Sequence, residues 1–189
     1  MGYCMTTVQV AVAAAIALAG ASTAIADGKK DRSFSTNLIG YNETPLTLNS
    51  PGSGTFKATL SKDGSSLNYT LTFSGLTSDA LQAHVHFGAP AITGQIILFL
   101  CTNLGNAPAG SAGAQPCPVG GGTVTGTLTA ADVIARPTQN VHAGAAGFAE
   151  ILAAMGVGAA YANVHSASFP GGEIRGAVNQ PRNQDDDDD

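Results

Sequence analysis

The sequence predicts an all-β protein, an antiparallel Greek-key-like β-sandwich of about eight strands with one short helix near the C-terminal end. Hydrophobic residues make up 44% of the chain and charged residues 11%, against about 25% charged residues in average soluble proteins. This balance excludes the disordered class, which combines low hydrophobicity with high charge. Short runs alternate between apolar and polar side chains, and Gly- and Pro-rich turn signals separate them at close intervals, as in all-β domains.

A β-hairpin is the clearest local element. Residues 54–60 and 67–73 each alternate between apolar and polar side chains, and Asp63-Gly64 between them is a strong hairpin-turn signal. Residues 95–101 form a continuous apolar run, which predicts a strand that is either buried on both faces or central in its sheet. The remaining predicted strands cover residues 34–39, 81–88, 122–128, 160–165 and 173–178.

Two segments have helical patterns. Residues 148–155 predict a helix that packs one apolar stripe against the core and ends at Gly156. The stripe consists of Phe148, Ile151, Leu152 and Met155. Residues 129–132 resemble a capping box, with a Thr at the N-cap and an acid three residues later, and predict a short helical turn.

The N-terminal segment predicts export. Residues 8–21 are uncharged and mostly apolar, and Ala24-Ile25-Ala26 fits an A-x-A cleavage pattern. The mature protein would then be periplasmic or extracellular without a membrane span; an uncleaved anchor is the alternative, although the run is short for a span. The predicted organisation is a signal peptide (1–26), a flexible lead-in (27–33), one domain (34–180) and an acidic disordered tail (181–189).

The formal net charge of −5 comes from the C-terminal run Asp185 to Asp189. Of the 13 acidic residues, eight remain when this run is set aside, and they balance the eight Lys and Arg residues. A neutral body has no basic surface that would displace counterions from phosphates. The sequence therefore argues against nucleic-acid binding.

Cys101 and Cys117 are the two cysteines that remain after removal of the predicted signal peptide. An even pair in an exported chain predicts one disulfide, which would close the Gly-, Ala- and Pro-rich loop between them. A thiolate metal site is the alternative, and an oxidising compartment disfavours it.

Three ordered blocks resemble the CHRD (chordin-type) domain family. Residues 40–45 (GYNETP) match its Gly-x-x-Glu-x-Pro opening, and residues 83–90 (AHVHFGAP) match its Ala-His-x-His block. Residues 161–166 (YANVHS) and 170–176 (PGGEIRG) match its closing Tyr-x-Asn-x-His and Gly-Glu-Ile-Arg-Gly blocks. The resemblance extends over residues 34–178 and implies mainly a fold, since the family has no settled activity. In chordin, such domains belong to a protein that binds growth factors.

The histidines within these blocks are candidate metal ligands. His84 and His86 are two residues apart in a predicted strand, so their imidazoles share one face of the sheet. His165 lies on another predicted strand and is the natural third ligand, and an all-imidazole site suits copper or zinc. The alternative is that paired histidines only hydrogen-bond polar groups and hold the sheet together. His142 lies in a polar loop outside the family-like blocks and is interpreted as a surface residue.

Four further polar residues are candidates for supporting or purely structural roles: Glu43, Asn163, Glu173 and Arg175. Glu173 and Arg175 share a strand face, and the pattern predicts an ion pair between them at a sheet end. A carboxylate beside an imidazole would instead fix its tautomer from outside the metal coordination sphere. The sequence does not identify which acid would do this.

The leading functional prediction is an exported, non-catalytic protein that binds copper or zinc through His84, His86 and His165. A second hypothesis is a structural or protein-binding module of an envelope or matrix, with a protein partner or a second copy of the chain. A third is copper redox chemistry of the superoxide dismutase kind, which needs an open coordination position and Arg175 as the anion-steering charge. No nucleophile elbow, P-loop or dinucleotide fingerprint is present.

Overall fold

The computed structural model describes residues 1–2 and 32–180. The predicted acidic tail, and the predicted signal peptide and lead-in apart from residues 1–2 and 32–33, lie outside this part of the chain. Within the described residues, no helix has the length and apolar character needed to cross a membrane.

Eight antiparallel strands form one continuous, nearly closed sheet in the order β5-β4-β7-β8-β1-β2-β3-β6. This confirms the predicted all-β antiparallel class and the strand number. The buried phenol of Tyr69 on β3 donates a hydrogen bond to the Leu100 carbonyl of β5, 2.6 Å away, so the two ends of the sheet approach each other. The strands are β1 (Ser33–Ile39), β2 (Ser53–Leu60), β3 (Ser66–Ser74), β4 (Ala80–Phe87), β5 (Gln95–Thr102), β6 (Gly121–Thr129), β7 (Ala160–Ser166) and β8 (Ile174–Ala177).

The predicted hairpin is present as β2 and β3, which pair in register from Ser53↔Ser74 to Leu60↔Leu67. The alternation in β3 is complete, because its apolar side chains are buried and the residues between them are exposed or half-buried. These buried side chains are Leu67, Tyr69, Leu71 and Phe73. Binary patterning alone therefore fixed the core-facing side of this hairpin.

β5 is buried on both faces although it is an edge strand. The apolar run therefore reflects two-sided burial, and the alternative of a central strand is wrong. Loop segments cover the free edge: the Ile134 amide donates to the Ile97 carbonyl at 3.0 Å, and the Thr102 amide donates to the Gln115 carbonyl at 2.9 Å. Covering an edge in this way satisfies backbone groups that a neighbouring strand would otherwise pair.

The loop after β5 carries the cysteine pair. The sulfur atoms of Cys101 and Cys117 lie 2.07 Å apart, at disulfide bonding distance, and both residues are buried. The pair joins β5 to the segment that leads into β6.

The predicted helix is present as α1 (Gly144–Gly156), which begins four residues earlier than the apolar stripe. Phe148, Ile151 and Met155 of the stripe are buried, whereas Leu152 is half-buried. The first turn consists of small residues without a side-chain cap, so no local signal marks its start. The predicted turn at 129–132 has a capping box, in which Asp132 accepts from the Thr129 amide at 2.7 Å.

The two faces of β4 and β7 differ in chemistry. Successive residues of a strand point to opposite faces, and the alanine and valine side chains of both strands join the hydrophobic core. These are Ala80, Ala83 and Val85 on β4, where the strand register shifts between Ala80 and Gln82, and Ala160, Ala162 and Val164 on β7. The opposite face carries polar and aromatic side chains that are nevertheless buried under loops, namely His84, His86, Tyr161, Asn163 and His165.

Candidate metal centre

Three histidines converge on the polar face of β4 and β7. His84 and His86 come from β4, and His165 comes from β7, which pairs with β4 directly. One ring nitrogen of each lies within 4.8 Å of the other two, and the side chains are 0%, 7% and 5% exposed in that order. The adjacent antiparallel strands therefore bring together residues that are about 80 positions apart in the sequence.

Backbone carbonyl groups orient two of the three rings. Nδ1 of His86 lies 3.0 Å from the Gly94 carbonyl oxygen, and Nδ1 of His165 lies 2.9 Å from the Pro170 carbonyl oxygen. A carbonyl oxygen only accepts hydrogen bonds, so both Nδ1 atoms carry the proton. Each Nε2 therefore presents a lone pair, which is the group that binds a metal.

The third ring is that of His84, and its two nitrogens have different surroundings. Nδ1 of His84 lies 3.2 Å from Nε2 of His165. Two nitrogen ligands on one tetrahedral metal, each about 2.05 Å from it, stand about 3.3 Å apart, so this separation also suits two ligands of one ion. Nε2 of His84 and Nε2 of His86 are buried and have no hydrogen-bond partner, a state that ordinarily costs about 1–3 kcal/mol per group.

The histidines are held in their neutral form. Burial lowers the pKa of His84 to about 2, and the neighbouring imidazoles of His165 and His86 lower it further. Burial also lowers the pKa of His86 to about 4, against the opposing hydrogen bond to Gly94. The pKa of His165 is lowered by burial as well. Neutral imidazole is the form in which histidine binds metals.

Aromatic rings enclose the cluster. Phe99 of β5 meets His84 edge to face at a centroid distance of 4.4 Å. Tyr161 stacks on His86 at 4.7 Å with an angle of 7° between the ring planes. The guanidinium carbon of Arg175 lies 3.4 Å from the centre of the Tyr161 ring, which makes a cation–π contact.

Arg175 holds the loop between β4 and β5 (residues 88–94), whose Gly94 carbonyl contacts His86. Its guanidinium donates to the carbonyl groups of Ala89, Pro90 and Ile92 at 3.2, 3.0 and 2.7 Å, and to the hydroxyl of Thr44. The side chain is 2% exposed. It therefore does not face solvent as the anion-steering charge that the redox hypothesis requires.

Glu173 does not pair with Arg175, so the predicted ion pair between them is wrong. The Glu173 carboxylate accepts from the Ser50 hydroxyl at 2.6 Å, from the Thr77 amide at 2.8 Å and from the Thr77 hydroxyl at 3.1 Å. Shared strand parity placed the two side chains on one face, but each reaches toward a different loop.

Glu43 and Asn163 are buried beside the histidines and are hydrogen-bonded to each other. The Asn163 amide donates to Glu43 Oε1 at 2.6 Å and to the Ile174 carbonyl at 3.0 Å. Burial raises the pKa of Glu43 to about 7, although the hydrogen bond from Asn163 and the charge of Arg175 oppose the shift. Neither Glu43 nor Glu173 orients an imidazole, since the Gly94 and Pro170 carbonyls do so.

Gly172 lies in the loop between β7 and β8 (residues 167–173), here called the closing loop. It allows this loop to lie against Glu43 and Asn163. A Cβ atom at Gly172 would stand 2.8 Å from Nδ2 of Asn163 and 2.9 Å from Oε2 of Glu43. Its φ of +130° also belongs to a region that side chains disfavour. Both the lack of space for a side chain and the backbone conformation therefore favour glycine at this position.

His142 lies apart from the cluster, as its surface interpretation implies. Its Nδ1 is 2.6 Å from Oε1 of Glu150, and its side chain is 59% exposed. The hydrogen bonds from His142 lower the pKa of Glu150.

Four groups that the sequence did not single out contact the histidines: Phe99, Tyr161 and the carbonyls of Gly94 and Pro170. Tyr161 had a signal, because it has the same strand parity as Asn163 and His165. Phe99 lies in a uniformly apolar run, so the sequence does not show which face of the sheet its side chain occupies. The carbonyl groups of Gly94 and Pro170 could not be predicted, because every residue has a backbone carbonyl.

The three sequence blocks thus meet in space, since the first provides Glu43, the second His84 and His86, and the third Asn163, His165 and Arg175. The sequence matches the profile of the CHRD domain over residues 34–178. The chain belongs to the CHRD domain family. No curated protein matches it. No solved structure matches it either. CHRD domains are typically extracellular.

Proposed function

We propose that this CHRD domain binds a copper or zinc ion through His84, His86 and His165, outside the cytoplasm and without catalysing a reaction. The observation that carries the proposal is the convergence of three buried imidazoles within 4.8 Å, two of which have a ring nitrogen without a hydrogen-bond partner. A metal at the cluster would use the Nε2 lone pair of His86, which the folded protein otherwise leaves unsatisfied.

The donor chemistry supports copper or zinc. Imidazole nitrogen suits both ions, and metal-binding histidines usually donate their other ring N–H to a carbonyl or carboxylate. His86 and His165 already make such bonds to Gly94 and Pro170. The orientations of these two rings are therefore set before an ion arrives, which lowers the cost of binding.

The surroundings support binding rather than catalysis. The ligand side chains are at most 7% exposed, whereas a redox centre needs a coordination position that its substrate reaches. The guanidinium of Arg175 is occupied by carbonyl groups and a hydroxyl. It is therefore not free to guide an anion to the metal.

Export is supported by three features that are independent of the histidines. Residues 1–26 have the pattern of a signal peptide, and Cys101 and Cys117 lie at disulfide bonding distance, which suits an oxidising compartment. The family is typically extracellular. We therefore assign the mature protein to the periplasm or the extracellular space.

Calorimetric titration of the full chain with Zn(II), with Cu(II) and, under argon, with Cu(I) tests the proposal. We expect one ion per chain in the wild type and no such binding in the His84→Ala/His86→Ala double variant. His142→Ala is the matched control, because His142 lies outside the cluster, and it should bind like the wild type. Absence of binding of all three ions by the wild type, or equal binding in the double variant, would overturn the proposal.

A structural module is the second candidate, and the packing of the rings favours it. His84 and His165 already lie at hydrogen-bond distance, and His86 stacks on Tyr161. On this account His84→Ala lowers the free energy of unfolding by the same amount with and without added metal. On the metal-binding account the loss is larger when metal is present, because only the wild type gains stability from the ion.

A further inference from the structure

We propose that the histidine cluster selects monovalent copper, Cu(I), over the divalent ions Cu(II) and Zn(II). This inference rests on the proposed function, since it concerns which ion the same three imidazoles hold. The selectivity follows from the charge of the ligands and of the groups around them.

The ligand set brings no negative charge. Within the described residues, the group able to hold a metal consists of the three histidines alone, without a carboxylate or a thiolate. An ion bound there keeps its full charge inside a buried site. The cost of removing an ion from water grows with the square of its charge, so neutral ligands penalise a divalent ion far more than a monovalent one.

Two guanidinium groups place positive charge near His86. Arg175 lies over the Tyr161 ring, which in turn stacks on His86. Arg136 donates from its Nε to the Ile96 carbonyl at 2.6 Å. Its positive charge, like that of Arg175, disfavours a further positive charge at His86. Repulsion from these two guanidinium groups is twice as large for a divalent ion as for Cu(I) at the same position.

The neighbouring carboxylates are turned toward other partners. Glu43 accepts from Asn163, and Glu173 accepts from Ser50 and Thr77. Neither belongs to the metal-binding group. These two buried acids are therefore occupied by hydrogen bonds within the protein and do not supply the negative charge that would compensate a divalent ion.

Coordination number favours the same ion. Zinc in proteins is almost always four-coordinate, whereas Cu(I), a closed-shell ion, is stable with three nitrogen ligands. The cluster offers three histidines, and the rings of Phe99 and Tyr161 pack against His84 and His86. A fourth ligand for a divalent ion would have to enter a site that is at most 7% exposed at each histidine.

The test compares affinities for the two oxidation states of copper in the full chain. Cu(I) affinity is measured under argon with ascorbate, by competition with bicinchoninate, and Cu(II) and Zn(II) affinities by competition with nitrilotriacetate. We expect the cluster to bind Cu(I) at least about 100-fold more tightly than Cu(II). That ratio raises the midpoint potential of bound copper by about 120 mV relative to the aqueous couple.

Gln82→Glu probes the charge argument directly. Gln82 lies opposite His165 in the strand register and two residues before His84, and its Oε1 accepts from Asn106, a bond that a glutamate oxygen preserves. The added negative charge should lower the Cu(I)/Cu(II) affinity ratio at least about tenfold. Asn68→Asp, on an exposed position of β3, adds the same charge away from the cluster and should leave the ratio unchanged.

The outcomes separate the inference from the proposed function. Binding to sites elsewhere in the chain is subtracted with the His84→Ala/His86→Ala variant. Cluster-dependent binding of Cu(II) or Zn(II) that equals or exceeds that of Cu(I) overturns the inference and leaves the proposed function standing. An unchanged ratio in Gln82→Glu also contradicts the inference. Absence of cluster-dependent binding of any of the three ions overturns both.

Discussion

Backbone carbonyls and one buried acid define the chemistry of the cluster at the scale of single residues. The carbonyls of Gly94 and Pro170 hold His86 and His165, so the orientation of the rings depends on loop backbone and not on a side chain. Glu43 lies beside the cluster with a pKa raised to about 7. Its protonation therefore changes within the range where protein stability is easily measured.

Replacement of Glu43 by Gln should alter the pH dependence of stability. Because burial raises its pKa in the folded chain from 4.5 to about 7, the folded chain retains a proton that the unfolded chain releases between these pH values. Stability from this group is therefore fully present below about pH 4.5, declines as pH rises, and is lost above about pH 7. Glu43→Gln removes that decline.

The measurement is urea unfolding of the metal-free chains between pH 4.5 and pH 8. The wild-type free energy of unfolding minus that of Glu43→Gln should fall by roughly 1–3 kcal/mol across this range. The histidines titrate in both proteins and cancel in the difference. A difference that stays constant with pH would contradict the burial of an ionisable Glu43.

Gly172 and Gly171 form a matched pair for testing how tightly the closing loop packs. Gly172→Ala places a methyl group 2.8 Å from the Asn163 amide at a φ of +130° and should destabilise the fold by about 1–3 kcal/mol. Gly171 has open space around its Cβ position, so Gly171→Ala should change stability by less than about 0.5 kcal/mol. Thermal unfolding of both variants checks this, and equal effects would contradict it.

At the scale of elements, the segment of residues 88–94 between β4 and β5 lies against His86 and is held by the side chains of Arg175, His86 and Tyr161. Arg175 binds three of its carbonyls, His86 binds the Gly94 carbonyl, and the Tyr161 hydroxyl accepts from the Gly94 amide at 3.1 Å. A loop fixed by this many contacts opens rarely.

Arg175→Lys should loosen this segment without changing its charge. A lysine ammonium lacks the planar fork that reaches several carbonyls at once. Backbone amides in 88–94 should therefore exchange with deuterium at least roughly tenfold faster than in the wild type. Arg32→Lys is the control, because Arg32 donates to the Ser61 carbonyl far along the chain from this loop. Unchanged exchange in Arg175→Lys would show that other contacts hold the segment.

Element types were predictable where local pattern and burial agree. The β2–β3 hairpin follows from strict alternation and an Asp-Gly turn, and the turn at 129–132 follows from its capping box. β5 was ambiguous, because a uniform apolar run looks the same in a central strand and in an edge strand covered by loops. The first turn of α1 was missed because its small residues provide neither a cap nor an apolar stripe.

For the whole molecule, the sheet order decides which residues meet. β4, β7 and β8 are adjacent in the sheet, although residues 88–159 separate β4 from β7 in the sequence. The strand parity of His84 and His86 was predictable from their spacing, and the third candidate ligand, His165, followed from the family-like block that contains it. Three features depend on loop conformation, which the residue pattern does not encode. They are the carbonyl partners of His86 and His165, the hydrogen bonds of Arg175 to residues 88–94, and the different directions of the Glu173 and Arg175 side chains.

X-ray absorption spectroscopy of the copper-loaded full chain tests the central claim most directly, because it counts the imidazoles around the ion. We predict three imidazole nitrogens at about 2.0 Å in the wild type and in His142→Ala, and loss of this signal in His84→Ala/His86→Ala. Copper coordinated by oxygen, or by fewer than three imidazoles, in the wild type would contradict the assignment of His84, His86 and His165 as one metal centre.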